Sequence, residues 1–524
     1  MEKRFNTTGV CIPEKHYMVD ISSKMKKVID MIEYGDYFTI NRARQYGKTT
    51  MLFCLPSSLP KDYVCINISF EGIDYTAFES PANFCQMFLR QISRDLSLSH
   101  ESLSAQWLDD SVTTFEMLEV KISKIVTSRK VVLTIDEVDK ACDYEVFLHF
   151  LGTLRSLFLK KTKFPTFQSV ILVSVYDIKN LKAKMMQEGT RGETDNAKTI
   201  EKSIGSPWNI AANFKVDMSF NPADISTMLE SYESEHNTGM DIVTVANEIH
   251  KYTRGYPFMV SRICQLIDDD LDCGWNADGV QEAVKIMSTT ETNTLLDELF
   301  KNLHNNKEIY DFMYDILIMG NHRPREAYTH EVSWGTMFGF IRRESNGEIR
   351  IANKIFEARL MNYFITVETN NKNIRDENCN EFRIEVVRDG ILNMEMCLLK
   401  FKETYARLYS DVDAPALERY CKPMFLSFVQ PIINGNGFIN MESQFTDGRR
   451  MDVVISYGKQ QYVIELKLWR GDTLHKKAYT QLLGYMDKMG EEKGYMLTFD
   501  IRQNKQPKAE WVEIEGKRIF DVIV

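Results

Sequence analysis

Arg42-Ala43-Arg44-Gln45-Tyr46-Gly47-Lys48-Thr49-Thr50 decides how this chain folds. The stretch follows a β-prone run, Tyr37-Phe38-Thr39-Ile40, and precedes a helical segment at 50–55. A strand, a loop ending in Gly-Lys-Thr and a helix make a turn that binds phosphate. Backbone N–H groups wrap the phosphates at a helix N-terminus, a lysine ammonium reaches the terminal phosphates, and a hydroxyl holds Mg²⁺. Lys48 and Thr49 fill the last two roles, and Gly47 permits the close approach. Arg44, Gln45, Tyr46 and Thr50 complete the cradle. Arg42 stands where the usual pattern has its first glycine, which restricts the turn but leaves the Gly-Lys-Thr end intact.

Working outward, residues 1–220 alternate short apolar runs with amphipathic stretches, the pattern of a three-layer α/β domain. Further strands are expected at Tyr63-Val64-Cys65-Ile66-Asn67-Ile68, Val131-Val132-Leu133-Thr134-Ile135 and Ser169-Val170-Ile171-Leu172-Val173-Ser174, with a fifth at Lys215-Val216-Asp217-Met218. Segments 82–96 and 144–159 have helical spacing. Both faces of the strands are mostly apolar, as in a parallel sheet covered on two sides. The 131–135 strand ends in Asp136-Glu137 and is expected beside the phosphate-loop strand. Asp136 is placed to hold the Mg²⁺ shell and Glu137 to orient or deprotonate the attacking water. Ser174 ends the next strand, where a polar side chain can sense the terminal phosphate. Arg254-Gly255-Tyr256-Pro257 reads either as a helix-breaking turn or as a surface for adenine, with Pro257 against the base. Trp208 reads as core. Arg155, Arg191 and Arg254 all remain open as an arginine finger.

The rest of the chain divides by pattern. A helical lid subdomain is expected at 221–290. A winged-helix-like domain follows at 291–367, where Asn346-Gly347 between two β-prone runs signals a hairpin; an unrelated helical linker domain is the other reading. Residues 368–381 are polar and Asn-rich, a linker. The last domain, 382–524, starts with helices and ends with alternating strands.

Within that last domain, Arg449-Arg450-Met451-Asp452-Val453-Val454-Ile455 precedes Tyr462-Val463-Ile464-Glu465-Leu466-Lys467. Phosphodiester hydrolysis uses a metal to polarise phosphate and lower the pKa of a water. Hard Mg²⁺ takes oxygen ligands, so two carboxylates and waters suffice. Asp452 and Glu465 sit on two β-prone runs that a hairpin can bring together. Glu465 and Lys467, two apart on one strand, face the same side, so Lys467 can position a water and offset developing charge. The competing reading is an amphipathic edge hairpin, but Val453-Val454-Ile455 and Val463-Ile464 look like central strands, where unpaired charge is costly. A helix at 475–488 carries Gln481-Leu482-Leu483-Gly484-Tyr485. Arg449, Arg450, Arg470, Lys476 and Lys477 cluster nearby in sequence and could contact phosphates without reading bases.

Two resemblances follow from these motifs. Residues 1 to about 360 resemble the AAA-ATPase-like proteins of bacteria and archaea, related to signal-transducing ATPases with helical and winged-helix appendages. The residues that carry it are Tyr17-Met18-Val19-Asp20, 42–50, 133–137, 174–177 and Gly255-Tyr256-Pro257. The resemblance implies ATP as the nucleotide and, in that group, an arginine-rich loop that replaces the first glycine. About 400–524 resembles the PD-(D/E)XK nuclease superfamily, which implies an α/β restriction-endonuclease-like fold with a glutamine-bearing helix after the Glu-x-Lys strand; Gln481 fits that place. The resemblance also implies a further acid, often from the first core helix, for which Glu418 is the candidate and Glu442, on the first strand, the rival.

Composition limits the rest. A 524-residue chain exceeds the roughly 250–300 residues of a single core. A net charge of −10 argues against a surface that coats nucleic acid nonspecifically, so any such contact must be a local basic patch. No apolar run is long enough for a membrane span. Ten scattered cysteines read as reduced core residues of a cytoplasmic protein. The expectation is an ATP- and Mg²⁺-using hydrolase with a C-terminal nuclease acting on nucleic acid, DNA in the first instance, without membrane attachment and compatible with a homo-oligomer. The alternative of another class is a nucleotide-switched regulator or scaffold whose C-terminal domain binds nucleic acid or protein without cutting.

Overall fold

The computed structural model describes residues 2–175, 208–271, 273–320, 326, 329–371, 385–408, 414–440, 453–469, 471–500, 502 and 507–524. They form two compact units. The first comprises Met1–His250, Arg254–Asp268 and Met337–Gly339; the second comprises Lys251–Thr253, Asp269–Thr336 and Phe340–Val524.

In the first unit, short strands β1 (Arg4–Phe5) and β2 (His16–Tyr17) pair in parallel. The main sheet is four parallel strands in the order β3 (Tyr37–Asn41), β6 (Ser169–Ser174), β5 (Lys130–Asp136) and β4 (Tyr63–Ser69). Alternate residues feed opposite layers. Phe38, Ile40, Val132, Ile171 and Val173 pack with helices α1 (Ser22–Glu33) and α2 (Lys48–Ser58). Leu133, Ile135, Val170 and Leu172 face the other layer, where Phe84, Phe88, Phe147 and Phe150 come from the helices Pro81–Leu96 and Glu145–Lys160.

The structure corrects two expectations. β6 lies between β3 and β5, so the phosphate-loop strand is not next to the strand ending in Asp136. Residues 215–218 form no strand: next to β3 there is a single bridge, Phe38 to Ala212. The Val216 carbonyl accepts from the Arg42 guanidinium at 3.1 Å, a side-chain bond where a ladder bond was expected.

In the second unit, helices Thr294–Asn305 and Lys307–Leu317 precede the antiparallel hairpin of β7 (Ile341–Arg343) and β8 (Ile349–Ile351). Gly347 supplies the left-handed residue of its turn, at φ 84°. The next helix, Lys354–Asn371, runs into the stretch expected as a linker. Its Asn362 bonds Asn434 at 3.2 Å and accepts from Gln430 at 3.0 Å.

After β9 (Val387–Arg388) and β10 (Ile391–Leu392) come helices Met394–Leu408 and Ala414–Ile433, then a six-stranded sheet. Its strands are β11 (Gly437–Asn440), β12 (Val453–Tyr457), β13 (Gln460–Leu468), β14 (Lys493–Phe499), β15 (Lys508–Ile514) and β16 (Lys517–Ile523). In space the order is β11-β12-β13-β14-β16-β15. β12 runs antiparallel to both its neighbours, β11 and β13, whereas β13, β14 and β16 run parallel. The β12–β13 hairpin is tighter than the sequence suggests, because pairing runs to Tyr457–Gln460 and Gly458 turns at φ 57°. The crossover from β13 to β14 is the helix Asp472–Met489. No helix among the described residues is long and apolar enough to cross a membrane.

Candidate functional site

The loop between β3 and α2 is built around one ammonium. Lys48 Nζ donates to the carbonyls of Arg42 at 2.8 Å and Ala43 at 2.9 Å. Two left-handed residues, Gln45 at φ 54° and Gly47 at φ 78°, fold the loop back on itself. Gly47 then caps α2, so the helix starts at Lys48 with its free N–H groups toward the loop. Burial lowers the Lys48 pKa, opposed by the charges of Asp136, Glu137 and Asp139. A desolvated ammonium facing carbonyl oxygens is a site matched to a polyphosphate.

The carboxylates stand opposite. Thr49 Oγ1 donates to Asp136 Oδ2 at 2.9 Å, so the end of β5 reaches the loop across the intervening β6. The Glu137 N–H bonds Asp136 Oδ1 at 2.9 Å. Glu137 itself is left-handed at φ 53°, a backbone state costly for a residue with a side chain and often found where function requires it. Its pKa is raised by burial and by the neighbouring Asp139 and Asp136. Ser174, buried at the end of β6, donates to Asp139 Oδ1 at 3.4 Å. Sequence reading missed Asp139; the signal was a third acid three residues after Asp136, one turn on.

The Arg42 side chain leaves the site. Besides Val216, its guanidinium bonds the Asn41 carbonyl at 2.9 Å and lies over the Phe214 ring. Arg42 thus contributes its backbone to the loop and its side chain to the sheet edge.

Beside the loop lies a cavity open to solvent. Gln45, Tyr46, Gly47, Thr50 and Pro257 line it, as sequence reading grouped them. The N-terminal segment, represented by Cys11 and 17–19, forms much of the remaining wall. Sequence reading named 17–19 for a resemblance and gave them no place in the site. The Cys11 N–H donates to Thr50 Oγ1 at 3.1 Å, which ties that segment to α2.

Pro257 is presented by a turn that only glycine permits. Gly255 has φ 73°, and a Cβ there would lie 2.0 Å from the Phe220 carbonyl oxygen. Tyr256 Oη then donates to the Arg44 carbonyl at 2.7 Å, and its ring meets Tyr46 edge-on at 4.7 Å. Arg254 is the left-handed cap of the preceding helix. Trp208 is buried as expected and bonds Thr39 at 2.9 Å.

The C-terminal sheet holds the other group of predicted residues. Glu465 is fully buried on β13, 2.6 Å from Lys467 Nζ, which is one-third exposed. Gln481 is half-buried on the helix Asp472–Met489 and donates to Tyr485 Oη at 2.8 Å. Asp452, Glu442, Arg449, Arg450 and Arg470 lie outside the described residues, as do Arg191 and the Glu418 side chain. No three His, Cys, Asp or Glu side chains converge on a metal position among the described residues.

Comparison with known proteins bears on both ends of the chain. Residues 11–189 match the family model of an AAA-like domain, and 387–503 match a domain of unknown function (DUF8371). No curated protein matches. Among solved structures, the chain is similar to a Walker-type ATPase of Pyrococcus abyssi at 11% identity and TM-score 0.46, over 68% of this chain and 99% of that one. It is also similar to the ORC2 protein of Aeropyrum pernix, solved in ADPNP–ADP complexes, at 12% identity and TM-score 0.36, over 70% and 98%. Cdc6p of Pyrobaculum aerophilum aligns at 12% identity and TM-score 0.30, over 71% and 98%. The loop 42–50, which leads into α2, lies within the residues that match the AAA-like model.

Proposed function

We propose that the chain is an ATP-binding and ATP-hydrolysing protein whose AAA-like domain governs a C-terminal Mg²⁺-dependent nuclease acting on DNA. The observation that carries the first half is the convergence of Lys48, Thr49 and Asp136 from separate elements, with Glu137 beside them. Thr49 and Asp136 would hold Mg²⁺, which supplies charge neutralisation on the phosphates. Glu137 would orient the attacking water, and the cavity walled by Tyr46 and Pro257 would take the adenine.

For the second half, the support is a fully buried Glu465 set against Lys467 on a central strand. An acid in that position is costly unless it has work to do. The element order adds to it: the helix that carries Gln481 follows the strand of Glu465 and Lys467, as the PD-(D/E)XK resemblance implies. Asp452 precedes Val453, whose partner across the ladder is Ile464, the neighbour of Glu465. Glu465 and Asp452 would hold the cation that lowers the pKa of the nucleophilic water. Lys467 would steady that water, and Gln481 would stand on the covering helix. The domains at 221–290 and 291–367 would relay the nucleotide state.

The test is cleavage of DNA by the purified full chain with Mg²⁺. Activity lost in both Asp452→Ala and Lys467→Ala supports the assignment; cleavage surviving both contradicts it.

A further inference from the structure

A second polar centre sits on the same face of the C-terminal sheet as Glu465 and Lys467. The parallel register sets Glu465 against Met496 and Met496 against Asp521, so these three side chains leave the sheet on one side. Lys467 and Thr498 form the next row. The helix Asp472–Met489 covers this face, with Leu482 and Met486 packed on Val463, Met496 and Ile519. Toward its N-terminal end the apolar packing gives way. His475 and Tyr479, one turn apart, both turn to Asp521: His475 Nε2 lies 3.2 Å from Oδ2, and Tyr479 Oη donates to the same oxygen at 2.7 Å.

Two features set this centre apart from a structural clasp. Asp521 is fully buried, yet its Oδ1 has no hydrogen-bond partner among the described residues. Neither has the buried Oγ1 of Thr498 on the next strand. Each such atom is costly to bury, and packing alone gives no reason to bear that twice on one face. Secondly, the centre is joined to the end of β13. Trp469, two residues beyond Lys467, lies against the His475 ring at a centroid distance of 4.9 Å.

Asp521 at Nε2 fixes the imidazole. With a proton on Nε2 directed at that carboxylate, Nδ1 is the ring nitrogen left to hold and give away a second proton. His475 Nδ1 makes no hydrogen bond to another described residue. We propose that His475, held by Asp521 and Tyr479, is the acid that protonates the departing sugar oxygen in phosphodiester hydrolysis, a role that rests on the nuclease reading above. A water oxygen bonds to phosphorus and releases its proton to solvent. The bond from phosphorus to the sugar oxygen breaks, its electron pair stays on that oxygen, and the oxygen takes the Nδ1 proton. Neutral His475 remains, with Nε2–H on Asp521, and regains a proton from solvent.

The experiment uses the full chain, Mg²⁺ and three DNAs that differ only at the scissile linkage: the natural diester, one with sulfur for the 3′-bridging oxygen and one with sulfur for the 5′-bridging oxygen. A thiolate departs without a proton. Against the oxygen linkage His475→Gln should lose about 100-fold or more, and against the linkage whose departing atom is sulfur less than about threefold. Equal losses on both, or none on either, overturn the proposal while leaving the nuclease reading intact. A wild-type protein inert on every linkage removes that reading, and this proposal with it. A readout free of activity is long-range ¹H–¹⁵N spectroscopy of the histidine rings. His475 should carry its proton on Nε2 in the wild type and lose that preference in Asp521→Asn. A wild-type ring protonated on Nδ1 alone overturns the proposal whether or not the variants fold.

Discussion

Lys48 Nζ lies 2.8 Å from the carbonyl oxygen of Arg42, the residue standing where a phosphate loop ordinarily has its first glycine. The Arg42 backbone therefore serves the phosphate site, while its side chain bonds Val216 and covers Phe214. The two roles separate by mutation. Arg42→Ala should cost about 1–3 kcal/mol of stability, from two charged hydrogen bonds and one cation–π contact. Nucleotide affinity should stay within about threefold, whereas Lys48→Ala should weaken it by about 10- to 100-fold. Denaturant unfolding and nucleotide titration of both variants check this.

Glu137→Gln should bind ATP but not turn it over. It should also stabilise the domain at neutral pH, because the raised pKa means that ionising Glu137 costs the fold. The sign follows from linkage: a carboxyl with a raised folded-state pKa favours the fold while protonated, and that contribution is lost as pH rises through the folded pKa. The difference in thermal midpoint between wild type and Glu137→Gln should therefore appear on going from acid to neutral pH and shrink again in acid.

Gly255→Ala should damage fold and site together. The new Cβ would meet the Phe220 carbonyl at 2.0 Å, on a backbone at φ 73°. A loss of about 2 kcal/mol or more is expected. Since Tyr256 and Pro257 follow directly, nucleotide affinity should fall too. Tyr256→Phe, which loses only the bond to the Arg44 carbonyl, should cost about 1 kcal/mol.

Removing Lys467 should be worse for stability than neutralising Glu465. Lys467→Ala leaves a fully buried carboxylate without its nearest cation. A loss of about 2 kcal/mol is expected, less than for a fully buried pair because Lys467 is one-third exposed. Glu465→Gln keeps the shape and drops the charge, so it should cost much less. Chemical denaturation compares the two.

Local signals carried much of this from the sequence. β3, β5 and β6 lie where their apolar runs placed them, and Asp136 and Thr49 meet as their motifs implied. Spatial order was not legible, because nothing in a run of valines and isoleucines says that β6 enters between β3 and β5. The strand expected at 215–218 failed because a long-range contact, Arg42 to Val216, replaces the ladder. Asp139, Cys11 and 17–19 entered the site through loops and the N-terminal segment, which carry no periodicity. His475 and Asp521 meet only through the parallel register of β13, β14 and β16, forty-six residues apart in the chain.

In the proposed function, nucleotide at Lys48 governs chemistry at Glu465 and Lys467. The rate of Mg²⁺-dependent DNA cleavage with and without ATP, for wild type, Lys48→Ala and Lys467→Ala, tests this coupling. A wild-type rate that changes with ATP, a Lys48→Ala rate indifferent to it, and no cleavage by Lys467→Ala are expected. Cleavage by Lys467→Ala, or a wild-type rate identical with and without ATP, would contradict it.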